Sequence, residues 1–325
     1  MSGRIQVLKP GVQSQLQDLG RFGFQDLGVP VCGAMDEWAH RLANLLAGNA
    51  QDEATLEIVL MGPSLVFENA TQIAITGADL SPRLNGEPVA MHQRIDIAAG
   101  SQLEFGRRVN GLRAYLAVRG GFAVDPVMGS RSTYVRGGFG GFQGRALRKG
   151  DVLPIPDAAV PFEPAAPLPA GLQAGCEMPS VEPGAVTTVR VTTGEHWSRF
   201  TPEAQAEFAA AVYKISPQSD RMGYRLEGPA LQRVDSVELI SEAMSFGTIQ
   251  VPADGLPIVL MAERHSAGGY LKIAHVISVD LSLMAQLAPQ QALRFEQVSL
   301  EKAQTLYLQR EQRLAQLRES LGVTV

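Results

Sequence analysis

Apolar residues in this chain come in short runs. Thr55 to Met61, Gln72 to Thr76, Arg94 to Ile97 and Arg113 to Val118 are such runs, with turns such as Asn85-Gly86 and Asn110-Gly111 between them. The style returns in Val186 to Val191, Val237 to Ile240, Thr248 to Val251, Pro257 to Met261 and Ala292 to Val298. Short strands at this spacing predict a mainly β protein of sandwich or barrel type, not a series of βαβ units. Helical stretches are few. Asp36 is placed to cap a helix through Leu46, with Gly48 as its stop. Thr201-Pro202-Glu203 opens a helix expected to reach Tyr213, and Asp280 to Leu287 is a shorter one. Ser299 caps the last, in which Leu300, Tyr307, Leu314 and Leu321 recur every seven residues. That stripe is expected to pack on the second domain.

At 325 residues the chain is long enough for about two domains. Eight of its twenty prolines fall between Pro154 and Pro183. Proline fixes φ and removes a backbone donor, so residues 154–185 read as an extended linker. This leaves an N-terminal β domain over 1–153 and a C-terminal one over 186–325 that ends in the amphipathic helix. The first part carries 15 basic and 14 acidic residues, the second 13 and 19. Within the first, Arg107 to Lys149 holds nine basic residues, nine glycines and one acid, Asp125. Glycines expose backbone N–H groups, so this segment reads either as a surface for a small anion or as a solvated basic face.

Several classes are excluded or disfavoured. No apolar run nears the ~18 residues of a membrane helix, and the N-terminus has no signal-peptide core. Two distant cysteines, Cys32 and Cys176, fit a reducing cytoplasm and no disulfide framework. A net charge of −5 argues against nucleic acid as a partner. The five histidines are not at metal-ligand spacing, and no phosphate loop or dinucleotide fingerprint occurs.

Four clusters carry candidate chemistry. Gly129-Ser130-Arg131-Ser132-Thr133-Tyr134 offers hydroxyls, a guanidinium and backbone donors in one turn, which suits a carboxylate or phosphate; the alternative is a turn whose hydroxyls serve local backbone. In Ser219-Asp220-Arg221-Met222-Gly223-Tyr224, Asp220 either orients Arg221 for acid–base work or forms an ion pair of little consequence. Glu242 and Gln250 flank the turn-rich stretch to Asp254-Gly255, one as an acid/base, the other as a donor–acceptor to an amide; alternation alone would equally place them in solvent. Glu263-Arg264-His265-Ser266-Ala267-Gly268-Gly269-Tyr270 resembles a ligand-facing loop. An internal echo links Arg21-Phe22-Gly23-Phe24, near Asp18, to Arg221-Met222-Gly223-Tyr224, after Asp220; two similar β domains would explain it.

Taken in order, these clusters resemble one family. Gln17-Asp18-Leu19-Gly20-Arg21, Gly33-Ala34-Met35-Asp36, Thr76-Gly77-Ala78, Gly129 to Arg145 with Gly137-Gly138-Phe139-Gly140-Gly141, Ser219 to Arg225 and Gly247 to Gly255 carry the likeness over nearly the whole chain. The family is that of the C subunit of bacterial ATP-dependent 5-oxoprolinase, also described as allophanate hydrolase subunit 2-like or biotin-dependent carboxyltransferase-like. It is similar to the carboxyltransferase half of urea carboxylase and to the Kip antagonist of a sporulation kinase inhibitor. The resemblance implies two cyclophilin-like β-barrel domains. It implies a partner B subunit of related fold, allophanate hydrolase subunit 1-like, and an A subunit of the LamB/YcsF-like type. It also implies ATP shared with the partner, with room for magnesium, and a small amide substrate: the lactam of 5-oxoproline, opened to glutamate. Alternatives within the resemblance are carboxylation of a urea-like amide, with biotin on a separate carrier, and a non-catalytic regulator of a kinase inhibitor.

On this reading Asp220, Arg221 and Glu242 are the catalytic candidates. Ser130, Arg131, Ser132, Tyr224, Gln250, Arg264, Gly268 and Gly269 are the substrate-binding ones, with Arg131 as anion clamp. The family usually reads Asp-Arg-Gln-Thr-Thr-Gly-Gly-Tyr-Pro where this chain has Glu263 to Leu271, so Gln, Thr and Thr become His265, Ser266 and Ala267. Cys32 stands where serine is common.

Overall fold

In β1 (Gly3–Lys9) alternate residues are buried: Ile5 and Val7 point into a core, and Arg4 and Gln6 face out. This period of two is that of a strand with one face covered. The computed structural model describes residues 3–156, 181–182, 184–235 and 239–323. They form two compact units. One contains residues 3–21, 32–156 and 312–323, and the other 22–31, 181–182, 184–235 and 239–311. The linker expected over 154–185 lies mostly outside the described residues. Its first residues are strand: Pro154 and Ile155 pair with Arg4 and Gly3.

The first unit continues with β2 (Gln13–Gln17), β3 (Thr55–Val59), β4 (Ser64–Phe67), β5 (Thr71–Gly77), β6 (Arg83–Leu84), β7 (Glu87–Pro88), β8 (Arg94–Ile97), β9 (Gln102–Glu104), β10 (Arg113–Val118) and β11 (Val152–Ile155). They make two antiparallel sheets, in the orders β11-β1-β4-β9-β6-β7 and β2-β3-β10-β5-β8. Ile5, Leu65, Phe67 and Leu103 from the first sheet share a core with Leu16, Leu56, Ile75 and Leu116 from the second. The other face of the second sheet is covered by α1 (Glu37–Ala47), whose Trp38, Leu42 and Leu45 meet Ala74, Tyr115 and Ala117. Strand β10 is therefore buried at every position, which is why its sequence reads as a continuous apolar run. Asp36 caps α1 as expected, accepting the Ala39 N–H at 3.0 Å, and Gly48 ends it with φ +81°. Such a cap contributes about 1 kcal/mol.

The second unit holds β12 (Val186–Thr193), β13 (Tyr213–Ile215), β14 (Gly223–Glu227), β15 (Glu242–Ala243), β16 (Thr248–Val251), β17 (Ile258–Leu260), β18 (Ala267–Gly268), β19 (Leu271–Val276) and β20 (Ala292–Gln297). Seven of them close a barrel in the order β12-β19-β16-β17-β14-β13-β20, sealed by the parallel pairing of β20 with β12. Strands β15 and β18 form a separate two-stranded ribbon. The chain is thus mainly β with few helices, as its short strands predict. The closed barrel belongs to the second unit, and the first is built from two sheets.

Three details differ from the sequence reading. Helix α2 (Pro202–Ala210) stops before Tyr213, because Tyr213 starts β13 and its ring packs against Phe208 and Phe295. Half of the strand expected at 237–240 lies outside the described residues, and Leu239 and Ile240 are in no strand. After the short α3 (Leu281–Gln286) comes α4 (Leu300–Ser320), whose stripe does not pack along its length on the second domain. Leu300 and Tyr307 are exposed, whereas Leu314 and Leu317 are buried in the cluster around Trp38 and Leu42 of the first unit. No described helix is long and apolar enough to cross a membrane.

Candidate functional site

The turn from Ser130 to Ser132 does bind a carboxylate, and it is the protein's own. Asp18 Oδ1 accepts the Ser130 hydroxyl at 2.7 Å, the Ser132 hydroxyl at 2.5 Å and the Gly20 N–H at 2.8 Å; Oδ2 accepts the Arg131 N–H at 2.5 Å. Ser130 and Ser132 are fully buried, so their hydroxyls serve Asp18. The Arg131 guanidinium donates from Nε to the Val124 carbonyl and lies 3.6 Å from Glu53. Other cations of the glycine-rich segment are engaged too: Arg113 lies 3.9 Å from buried Glu57, and Arg145 pairs with Asp151 at 2.7 Å. The loop after the turn is held close by its glycines. Gly140 has φ +72°, and a Cβ there would sit 2.2 Å from the Ser132 carbonyl oxygen.

Deeper in this unit, polar groups line the space under α1. Glu57 accepts the Tyr115 hydroxyl at 2.7 Å and the Met35 N–H at 2.9 Å. Burial, reinforced by the Glu57 and Asp36 charges, pushes the Tyr115 phenol well above its usual range. His40, hydrogen-bonded to Thr55 at 2.8 Å, is pushed down to about 4 by burial, against the opposite pull of Asp18 and Glu57.

In the second unit the sequence candidates converge on a residue that sequence reasoning passed over, Lys272. Gln250 on β16 lies opposite Lys272 on β19, and Glu242 on β15 reaches the Lys272 ammonium at 3.0 Å. Lys272 is buried while Glu242 is half exposed. Gly268 pairs with Glu242 and backs onto Gln250, where a Cβ would stand 2.8 Å from the amide nitrogen. Gln250 Nε2 lies 3.3 Å from the Met244 sulfur, and Arg264 donates to the Met244 carbonyl while its guanidinium lies 5.7 Å from the centre of the Phe246 ring. A Cβ on Gly269 would lie 3.0 Å from the Leu239 carbonyl oxygen. Glu242, Gln250, Arg264 and Gly268 thus come together around a buried ammonium and an amide, groups suited to hold the oxygen and nitrogen of an amide substrate.

Asp220 and Arg221 do different jobs. Asp220 is exposed, and its Oδ1 accepts the Met222 N–H at 2.8 Å, an Asx turn. Arg221 is buried and donates from Nε to the equally buried Glu263 at 2.5 Å. Tyr224 is buried on β14. Beside Lys272 runs a second polar chain: Ser245 to Thr248 at 2.8 Å, Thr248 to His275 at 3.2 Å and His275 to Glu195 at 2.9 Å. Partial burial works to raise the Glu195 carboxyl. The His275 hydrogen bond, its own backbone N–H and the His275 and Lys272 charges outweigh it and bring it below the ordinary value. A signal for Lys272 and His275 did exist in the sequence: both interrupt the otherwise apolar strand Leu271-Lys272-Ile273-Ala274-His275-Val276. Glu263, the partner of Arg221, was read only as part of a loop.

Residues 27–297 match the family model described as "Carboxyltransferase domain, subdomain A and B". The chain belongs to this carboxyltransferase-domain family. It is 37% identical to the 5-oxoprolinase C subunit of Escherichia coli K12 over 305 residues, covering 92% of this chain and 93% of that protein. It is 34% identical to the 5-oxoprolinase C subunit of Haemophilus influenzae, covering 97% of each. Among solved structures, the urea amidolyase of K. lactis superposes with a TM-score of 0.88 at 32% identity, over 97% of this chain but 20% of that one. The Asp18 turn and the Lys272 cluster are the candidate chemistry of this family member.

Proposed function

We propose that this chain is the C subunit of an ATP-dependent 5-oxoprolinase, which works with a related B subunit and an A subunit to open the lactam of 5-oxoproline to glutamate. The observation that carries this reading is the similarity to two proteins named as the C subunit of 5-oxoprolinase, 37% and 34% identical over more than nine-tenths of this chain. The Lys272 cluster supports it chemically. An amide carbon is poorly electrophilic, and a phosphoryl group from ATP on its oxygen makes that carbon attackable. In this reading Gln250 presents its amide to the lactam amide, and the Lys272 ammonium holds the lactam oxygen as negative charge builds there. Glu242 orients Lys272, and Arg221 held by Glu263 positions the neighbouring Arg264 loop. In this reading ATP, with its magnesium, is shared with the partner subunit; Arg113, Arg131 and Arg145 of the glycine-rich segment are engaged with Glu57, Glu53 and Asp151.

The test is ATP hydrolysis by this chain co-purified with its B and A partners, with and without 5-oxoproline. Stimulated hydrolysis with stoichiometric glutamate supports the reading. A stable complex that is inert to 5-oxoproline but carboxylates urea when given a biotinylated carrier overturns it in favour of the carboxyltransferase reading, which the K. lactis likeness favours.

A further inference from the structure

The two arginines of the sequence echo are both buried, but only one has a counter-charge. Asp18 Oδ1 accepts the N–H of Gly20 and Asp220 Oδ1 that of Met222, each two residues on, so the same kind of turn precedes or contains both arginines. Arg21 is 1% exposed and Arg221 is 6% exposed. Arg221 meets the buried carboxylate of Glu263. Arg21 has no equivalent. Its Nη2 donates to the Ser132 carbonyl, and its guanidinium carbon lies 5.0 Å from the centre of the Phe139 ring. Its Nε and Nη1 have no protein hydrogen-bond partner, and no carboxylate pairs with it among the described residues. The carboxylate of Asp18 is already filled by four donors.

A buried guanidinium without an anion is strongly disfavoured, because its charge is taken from water with nothing to offset it. The surroundings add a second unmet group. Gln17 Nε2 donates to the Thr133 carbonyl, next along the chain from the carbonyl that Arg21 holds, while Gln17 Oε1 is buried without a partner. The loop over Arg21 is the glycine-rich one, in which a Cβ on Gly140 would stand 2.7 Å from Arg21 Nη2.

We propose that Arg21 and Gln17 of the first unit form a further carboxylate site, additional to the Lys272 cluster of the second unit, for a small mono-anionic ligand bearing an amide N–H, closed in this structure and reached when the loop at 137–144 lifts. One guanidinium balances one carboxylate. A phosphate dianion would be left in charge excess beside Asp18. The Gln17 oxygen accepts the ligand's N–H, and the two remaining guanidinium donors take the carboxylate. The site stands on this geometry; the choice of 5-oxoproline as its ligand rests on the proposed function.

The experiment follows the arginine Nε–H signals of the full chain by NMR. The Arg21 signal is assigned by its loss in Arg21→Lys, and Arg221 serves as internal control because Glu263 occupies it. The titrants are acetate, 5-oxoproline and inorganic phosphate at constant ionic strength. Acetate and 5-oxoproline should shift the Arg21 signal saturably, phosphate should not, and Arg221 should stay still in acetate. Gln17→Leu should weaken 5-oxoproline roughly fivefold and leave acetate unchanged. An Arg21 signal that ignores both carboxylates, or moves equally with phosphate, overturns the proposal. So does a high-resolution crystal structure grown with 5-oxoproline that shows only an ordered water on Arg21 Nε. Binding of 5-oxoproline with Arg21 unmoved would end this proposal and leave the oxoprolinase reading standing. An acetate response in a complex that does not turn over 5-oxoproline would do the reverse.

Discussion

The Lys272 ammonium lies 3.0 Å from the Glu242 carboxylate, one buried and the other half exposed. A lysine held in this way is fixed at the barrel surface by a partner that itself touches solvent. If it holds the substrate oxygen, Lys272→Met in the assembled complex should lower kcat on the order of 100-fold with a smaller change in KM. Lys272→Arg should recover part of that loss. A melting temperature within a few degrees of the parent would confirm that the fold survives. An unchanged kcat in Lys272→Met would remove the residue from the mechanism.

Asp18 organises four donors, two of them buried hydroxyls. Asp18→Ala leaves these groups without their acceptor. The expected loss of stability is about 3–5 kcal/mol, read from urea denaturation midpoints, since each stranded buried group costs on the order of 1 kcal/mol or more. Asp18→Asn keeps one acceptor oxygen and should lose less.

The glycine-rich loop gives a paired test of backbone against space. Gly138 has φ +68° with open room for a Cβ, so Gly138→Ala should cost only about 1 kcal/mol of backbone strain. Gly140 has a similar φ, but its Cβ would strike the Ser132 carbonyl. Gly140→Ala should therefore be clearly worse, by at least about 2 kcal/mol more. Equal effects in thermal unfolding would show that the loop relaxes freely.

Stability should fall on mild acidification because of His40. Its folded-state value is lowered to about 4 from an ordinary 6.5, so between those values the unfolded chain binds the extra proton. Stability is thus full above pH 6.5 and declines as pH falls towards 4, by about 2 kcal/mol between pH 7.5 and 5. His92, also lowered by burial and opposed by Asp79, acts with the same sign. The profile of His40→Gln should be flatter by about that amount over the same window; a parallel profile would count against His40 as the cause.

Much of the fold was legible because it is local. The Asp36 and Gly48 caps of α1 and the proline start of α2 each act within a few residues, so the sequence alone determined where these helices start, where α1 ends and the mainly β class. The echo around Arg21 and Arg221 also marked two arginines that are buried. What the sequence could not determine is pairing across long separations. That Ser130 and Ser132 serve Asp18, over a hundred residues away, and that Arg221 meets Glu263 depends on which strands become neighbours. Leu314 and Leu317 carry the same apolar side chain as Leu300, yet they are covered by the cluster around Trp38 and Leu42 while Leu300 is exposed. Lys272 is a lone charge in an apolar strand, and sequence reasoning passed over it. Only the pairing of β16 with β19, which sets Gln250 opposite it, and the β15–β18 ribbon, from which Glu242 reaches its ammonium, make it the centre of a candidate site.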